Sequence, residues 1–146
     1  MRVLYIEDSA MDADLARLTL ARTAPEIKLE VASTLREGLE RLDDKSNAYD
    51  LLLTDLSLPD GSGLEALTRV REQRLPMAVV ILTGSGDQDS AVAALKASAD
   101  DYLIKRDDYL ERLPRTLRAA LERSSRGIDR NQPVLRVLYV EPLLSR

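Results

Sequence analysis

The sequence predicts an α/β fold, a doubly wound (βα)5 three-layer sandwich on a parallel sheet, and three observations carry the prediction. Short unbroken apolar runs recur at Val3-Leu4-Tyr5-Ile6, Leu51-Leu52-Leu53, Val79-Val80-Ile81-Leu82 and Tyr102-Leu103-Ile104. Segments of helical periodicity alternate with them, and the connections are short. A strand without polar alternation is one that helices cover on both faces, and right-handed crossovers between parallel strands then leave the doubly wound sandwich as the natural solution. Strand order 2-1-3-4-5 is a common form of it. That order makes the first and third strands neighbours at the crevice beyond the strands' carboxyl ends, where such sheets bind ligands.

Each element has a local reason. The first strand, about Arg2 to Ile6, leads into a helix from about Met11 to Arg22, with Leu15, Leu18 and Leu20 as its apolar positions and Pro25 beyond its end. A second strand, Ile27 to Ala32, delivers Ser33 as the expected N-cap of a helix with Leu35, Leu39 and Leu42 at helical spacing. Asp50 to Thr54 is the third strand, followed by a loop from Asp55 to Gly63 and a helix from about Leu64 to Gln73. Pro76 precedes the fourth strand, Ala78 to Leu82. An alanine-rich helix is expected over about Asp87 to Ala97, then the fifth strand, Asp101 to Ile104, and a last helix within Asp108 to Ser125. Pro114 lies inside that last segment and predicts a kink or a short first turn there. Met11 and Met77 read as core residues.

Composition narrows the chemistry. The 146 residues contain no Cys and no His, which excludes disulfides, thiolate and imidazole metal ligands, and histidine-based catalysis. Carboxylates, hydroxyls, lysines and oxygen-loving cations remain. A net charge of −4 argues against a direct nucleic-acid surface, and the arginines between Arg112 and Arg126 alternate with acidic and apolar residues as on a solvated helix face. No apolar run spans a membrane and no secretory signal is present, so the expected location is the cytoplasm.

Residues 1–125 read as one domain and 126–134 as a linker. Beyond it, Arg136-Val137-Leu138-Tyr139-Val140-Glu141 repeats Arg2-Val3-Leu4-Tyr5-Ile6-Glu7 with one conservative change. Residues 135–146 are therefore expected to be the first strand of a second, similar, truncated domain, and that apolar strand is expected to pair with a sheet edge or a neighbouring chain. Pro142 stands where Asp8 stands in the first copy, so the second domain would lack that carboxylate.

The chemistry-bearing residues cluster at strand ends: Glu7-Asp8, Asp55, Thr83 and Lys105. Singly, each has an ordinary explanation as a turn, cap or solvated residue. Their joint occurrence after four predicted strands points to one site at one sheet edge. No Gly-x-Gly-x-x-Gly follows the first strand and no Gly-x-x-x-x-Gly-Lys-Ser/Thr occurs, which argues against dinucleotide and nucleoside-triphosphate sites. A haloacid-dehalogenase-type phosphatase would want a second Asp two residues after its nucleophile, where this chain has Ser57.

The pattern Glu7-Asp8, Asp55 with Leu58-Pro59 and Gly63, Thr83-Gly84, and Asp101-Tyr102-Leu103-Ile104-Lys105 resembles the receiver domain of bacterial response regulators over about residues 1–125. The resemblance implies a flavodoxin-like fold and a phosphoacceptor role in a two-component system or phosphorelay. Asp55 would be phosphorylated by a histidine kinase or a histidine phosphotransfer protein. Mg2+ would be held by Asp8, Asp55 and the Ser57 backbone carbonyl, with Glu7 acting through water. Thr83 and Lys105 would contact the phosphoryl oxygens, and Thr83 with Tyr102 would form a switch that reshapes the face of the fourth helix, fifth strand and fifth helix. An attached output domain or second receiver, and a homodimer, are the further partners implied, and transfer to and loss from the aspartate would be self-catalysed rather than enzymatic turnover. The rival reading is a receiver-like docking or dimerisation module that works without phosphorylation. Two positions depart from the family's pattern: Arg106 follows Lys105 where Pro is usual, and Ser98 stands where a left-handed helix end favours Gly.

Overall fold

The computed structural model describes residues 1–84, 89, 93 and 98–126. Most of the predicted helix over residues 87–97, the linker beyond residue 126 and the repeated strand lie outside the described residues. Within them, the sequence's short apolar runs form five parallel strands: β1 (Arg2–Ile6), β2 (Lys28–Ala32), β3 (Leu51–Asp55), β6 (Ala78–Thr83) and β7 (Asp101–Ile104). The sheet order is β2-β1-β3-β6-β7, the predicted order once a separate two-stranded hairpin is set aside. That hairpin, β4 (Ser57–Leu58) against β5 (Gly61–Ser62), falls within the stretch expected to be loop.

Alternation along the strands divides the interior into two cores. Leu4, Ile6, Leu52, Val79 and Ile81 face one side and pack with α2 (Leu35–Asp43) and α3 (Gly63–Glu72). Val3, Tyr5, Leu51, Leu53, Val80, Leu82 and Leu103 face the other, where α1 (Ala10–Thr23) and α4 (Tyr109–Arg126) cover them with Ala16, Leu20, Leu113, Leu117 and Ala120. Every residue of β3 and of β6 is buried, as the continuous apolar runs require of central strands covered on both faces.

Four local expectations are corrected. The buried face of α1 is Ala13, Ala16 and Leu20. Leu15 and Leu18 point outward, and Met11, expected in the core, is 71% exposed, so α1 carries an outer apolar stripe at helical spacing. Met77 is buried as expected. The N-cap of α2 is Thr34, whose hydroxyl accepts from the Glu37 N–H at 3.0 Å, while Ser33 sits one residue earlier and donates its own N–H to the Glu37 carboxylate. Asp60 completes that helix start from another loop, its two oxygens accepting from Leu35 N and Arg36 N at 2.9 Å each. Finally, of the two outcomes Pro114 predicts, the short first turn is excluded, since α4 is one continuous helix with Pro114 inside it. Its arginines face solvent in ion pairs, Arg112 with Asp108 and Arg123 with Asp101, as the sequence suggested.

Of the two departures noted above, Arg106 changes no peptide geometry, since the described residues contain no cis bond. Ser98 does matter to the backbone. It adopts φ 83°, the left-handed region, and its carbonyl accepts from the Arg71 guanidinium at 2.7 and 3.1 Å. A Cβ there costs about 1 kcal/mol that Gly avoids. Ser98→Gly is therefore expected to raise the unfolding free energy by about 1 kcal/mol in urea titration.

Candidate functional site

Register brings the predicted residues together. Asp55 ends β3 opposite Leu82 of β6, and Thr83 ends β6 opposite Ile104 of β7. Glu7 and Asp8 follow β1, which pairs with β3 up to Ile6 and Thr54. The ladder extends slightly beyond the strands: Leu56 N donates to Leu82 O and Lys105 N to Thr83 O, both at 2.8 Å. These bonds leave Asp55, Thr83 and Lys105 on adjacent chain ends, with the acidic pair on the far side of Asp55.

Behind Asp55 the loop returns very close to the strand. Gly63 N donates to Leu56 O at 2.8 Å, and a Cβ on Gly63 would lie 2.2 Å from the Asp55 carbonyl oxygen. No side chain fits there, and backbone on the other side of the contact has little room to yield. Gly63 also opens α3, whose capping box joins Ser62 and Glu65. The glycine thus lets a helix start directly behind β3.

The side chains form one charged cluster. Glu7, Asp8 and Asp55 offer carboxylate oxygens that all lie within 4.8 Å of one another. Glu7 and Asp55 are buried and Asp8 is exposed. Lys105 Nζ donates to Glu7 Oε1, to Asp12 Oδ2 at 3.0 Å and to Asp55 Oδ2 at 3.3 Å, and lies 3.0 Å from Asp55 Oδ1. Glu7 is held further by the Tyr5 hydroxyl at 2.8 Å and the Ser9 N–H at 3.1 Å.

Burial and charge set the protonation. Burial, then the facing Glu7, pushes the Asp55 carboxyl up to about 8 against the pull of Lys105. Burial also acts to raise Glu7, but the Asp55 carboxyl, Lys105, Ser9 N–H and Tyr5 hydroxyl outweigh it and hold Glu7 below the usual carboxylate range. Lys105 is raised: desolvation lowers it, yet its carboxylate partners prevail. Two carboxyls this close keep one proton between them.

The buried Thr83 hydroxyl has no hydrogen-bond partner among the described residues, while Asp55 Oδ1 faces the Lys105 ammonium at 3.0 Å. An orphaned buried group costs about 1–3 kcal/mol, and Thr83 ends the strand paired with that of Asp55. Ser57 lies in the hairpin that follows Asp55. Tyr102 sits one strand away on β7, half-buried against the core of the α2/α3 side. Asp12 was not singled out in the sequence. An acid in the first turn of a helix has a sufficient local reason there, and its contact with a lysine 93 residues away becomes visible only in the fold.

The strand ends of this doubly wound sheet thus bring an acidic pair, an aspartate, a threonine and a lysine to one edge. The family model for the response regulator receiver domain matches residues 3–117, and this chain belongs to that family. It is 38% identical over 106 residues to the photosynthetic apparatus regulatory protein RegA of Rhodobacter capsulatus, covering 73% of this chain and 55% of that protein. It is 34% identical over 121 residues to the cell cycle transcriptional regulator CtrA of Caulobacter vibrioides, covering 81% and 51%. A response regulator receiver domain from Clostridium thermocellum superimposes with a TM-score of 0.75 at 30% identity, covering 85% of this chain and 96% of that one. The signal receiver domain of a LuxO repressor protein from Vibrio parahaemolyticus does so with 0.75 at 28%, covering 86% and 93%. The chain spans about half the length of RegA and CtrA.

Two outcomes are expected from this geometry. The unfolded chain releases the Asp55 proton near pH 4, whereas the folded chain holds it to about 8, so folding takes up a proton between these values. In EDTA the chain should lose stability as the pH rises across that window, and Asp55→Asn should flatten the loss; urea titrations at pH 5 and 8 on both proteins measure it. Gly63→Ala, forced against the Asp55 carbonyl, should lower the unfolding free energy by roughly 2 kcal/mol or more, well beyond the usual cost or gain of a Gly-to-Ala change.

Proposed function

We propose that this chain accepts a phosphoryl group on Asp55 from a histidine kinase or histidine phosphotransfer protein, with Mg2+ as the bound cation, and relays the change within a longer response regulator. The observation that carries the reading is the buried Thr83 hydroxyl, which has no hydrogen-bond partner among the described residues and ends the strand paired with that of Asp55. A phosphoryl group on Asp55, beside the acidic cluster, would give that hydroxyl an oxygen to bond.

The donors fit a hard divalent cation. Asp8, Asp55 and the Ser57 carbonyl would hold Mg2+, with Glu7 reached through water, and all of these are oxygens of the kind Mg2+ prefers. When bound, it neutralises charge between the acceptor carboxylate and the incoming phosphoryl oxygens. An Asp55 oxygen attacks phosphorus, the P–N bond to the donor's imidazole breaks, and the electron pair stays with that imidazole, which leaves an acyl phosphate. Lys105 turns a donor toward a phosphoryl oxygen and Thr83 supplies a hydroxyl to another. The transfer and the later hydrolysis use this chain's own groups, without turnover of a separate substrate.

Thr83 ends β6 beside β7, so its shift toward the phosphoryl group frees space near Tyr102, whose ring moves inward and alters the surface made by the predicted fourth helix, β7 and α4. That surface is where a homodimer or an attached domain reads the state. The exposed Met11, Leu15 and Leu18 stripe begins next to the acidic cluster and provides the apolar surface a phosphodonor's helix would sit against. The acidic balance that argues against a nucleic-acid surface describes this chain alone, since CtrA is named a transcriptional regulator and this chain matches 51% of it. Among the described residues no helix is long and apolar enough to cross a membrane, and a cytoplasmic setting fits the family. A docking module independent of phosphorylation would need neither the carboxylate cluster nor the unpartnered hydroxyl.

Intact mass after incubation with acetyl phosphate and Mg2+ is expected to show one added phosphoryl group, absent with EDTA and absent in Asp55→Asn. Addition that survives Asp55→Asn would refute the assignment. In paired structures with and without an acyl-phosphate mimic, the Tyr102 ring should change rotamer, and Thr83→Ala should abolish that change.

A further inference from the structure

Lys105 has three N–H donors, and in this structure three carboxylates take them: Glu7, Asp12 and Asp55. Two of those acceptors have a place in the proposed transfer. Asp12 has none. It lies in the first turn of α1, where its N–H is fixed by the Ser9 hydroxyl at 3.2 Å, and Ser9 in turn donates its own N–H to Glu7. Glu7, Ser9, Asp12 and Lys105 thus close a ring of hydrogen bonds that ties the helix start to the ammonium.

We infer that Asp12 is a positioning residue that restrains phosphorylation of Asp55 by holding one Lys105 donor away from the incoming phosphoryl group. Two physical effects act in the same direction. The Asp12 oxygen at 3.0 Å competes directly with a phosphoryl oxygen for the ammonium. Its charge also adds to the acidic cluster of Glu7, Asp8 and Asp55 where an anionic donor must approach. The Asp12 side chain is 37% exposed, which allows it to release Lys105 without leaving a charge buried.

The inference rests on Asp55 being the acceptor, and one experiment separates the two claims. Wild type, Asp12→Asn, Asp12→Glu and Asp55→Asn are incubated with acetyl phosphate and Mg2+, and the phosphoryl mass is followed in time as a function of donor concentration. Asp12→Asn removes the charge at nearly constant shape and should raise the second-order rate constant of phosphorylation roughly 3- to 10-fold, the range a partly exposed charge-assisted hydrogen bond supports. Asp12→Glu keeps the charge and should stay within about twofold of wild type, a rescue that a purely structural role for the aspartate would not produce. Should Asp12→Asn be poorly folded by its melting curve, Asp12→Ala replaces it with the same expectation. An Asp12→Asn or Asp12→Ala chain that is folded and phosphorylated at or below the wild-type rate overturns the restraint. A wild-type chain that takes no phosphoryl group, or an Asp55→Asn chain that does, overturns the acceptor assignment instead.

Discussion

Lys105 follows the strand at one edge of the sheet, yet its ammonium reaches carboxylates from the end of β1, the start of α1 and the end of β3, and the acidic edge of the molecule is organised by that reach. Glu7 and Asp55 are buried, and two buried carboxylates without a counter-charge repel each other and lose hydration together. The lysine offsets both effects, and a shared proton handles what remains. A pair of this kind is stable only when every neighbour is in register, which makes the site sensitive to small displacements of any one strand.

The sheet supplies that register. With order β2-β1-β3-β6-β7, the acidic pair and the lysine approach Asp55 from opposite sides, although 98 residues separate Glu7 from Lys105. The surrounding loops are fixed by unrelated means. Gly63 admits the return of the chain behind Asp55, and Asp60 ties the hairpin to the start of α2. Movement of the loop after Asp55 is therefore coupled to two helices, while the Thr83 hydroxyl has no such tie among the described residues.

Strands and order were legible in the sequence because buried parallel strands need continuous apolar runs, and β3 and β6 have them. The strand-end residues were legible because strand ends in this architecture share one edge. The outer face of α1 was not: Leu15 and Leu18 are more apolar than Ala13 and Ala16, and a periodicity reading favours the larger side chains for the interior. Ser33 and Thr34 are both good caps, so choosing between neighbours required the Glu37 contact. Pro114 was read through the bond it removes, whereas the packing of Leu113 and Leu117 keeps the helix continuous. Asp12 had a local explanation that concealed its distant partner.

The small residues of α1 have a mechanical consequence. Ala13 and Ala16 face the interior and put little side-chain bulk between α1 and the strands. The first turn of the same helix carries Asp12, whose contact with Lys105 depends on the spacing between helix and sheet. Widening it by a methyl group or two would lengthen the reach from helix to lysine without touching any charged residue. The inner face of α1 thus works as a spacer, and its side-chain volume tunes electrostatics at the sheet edge through distance alone.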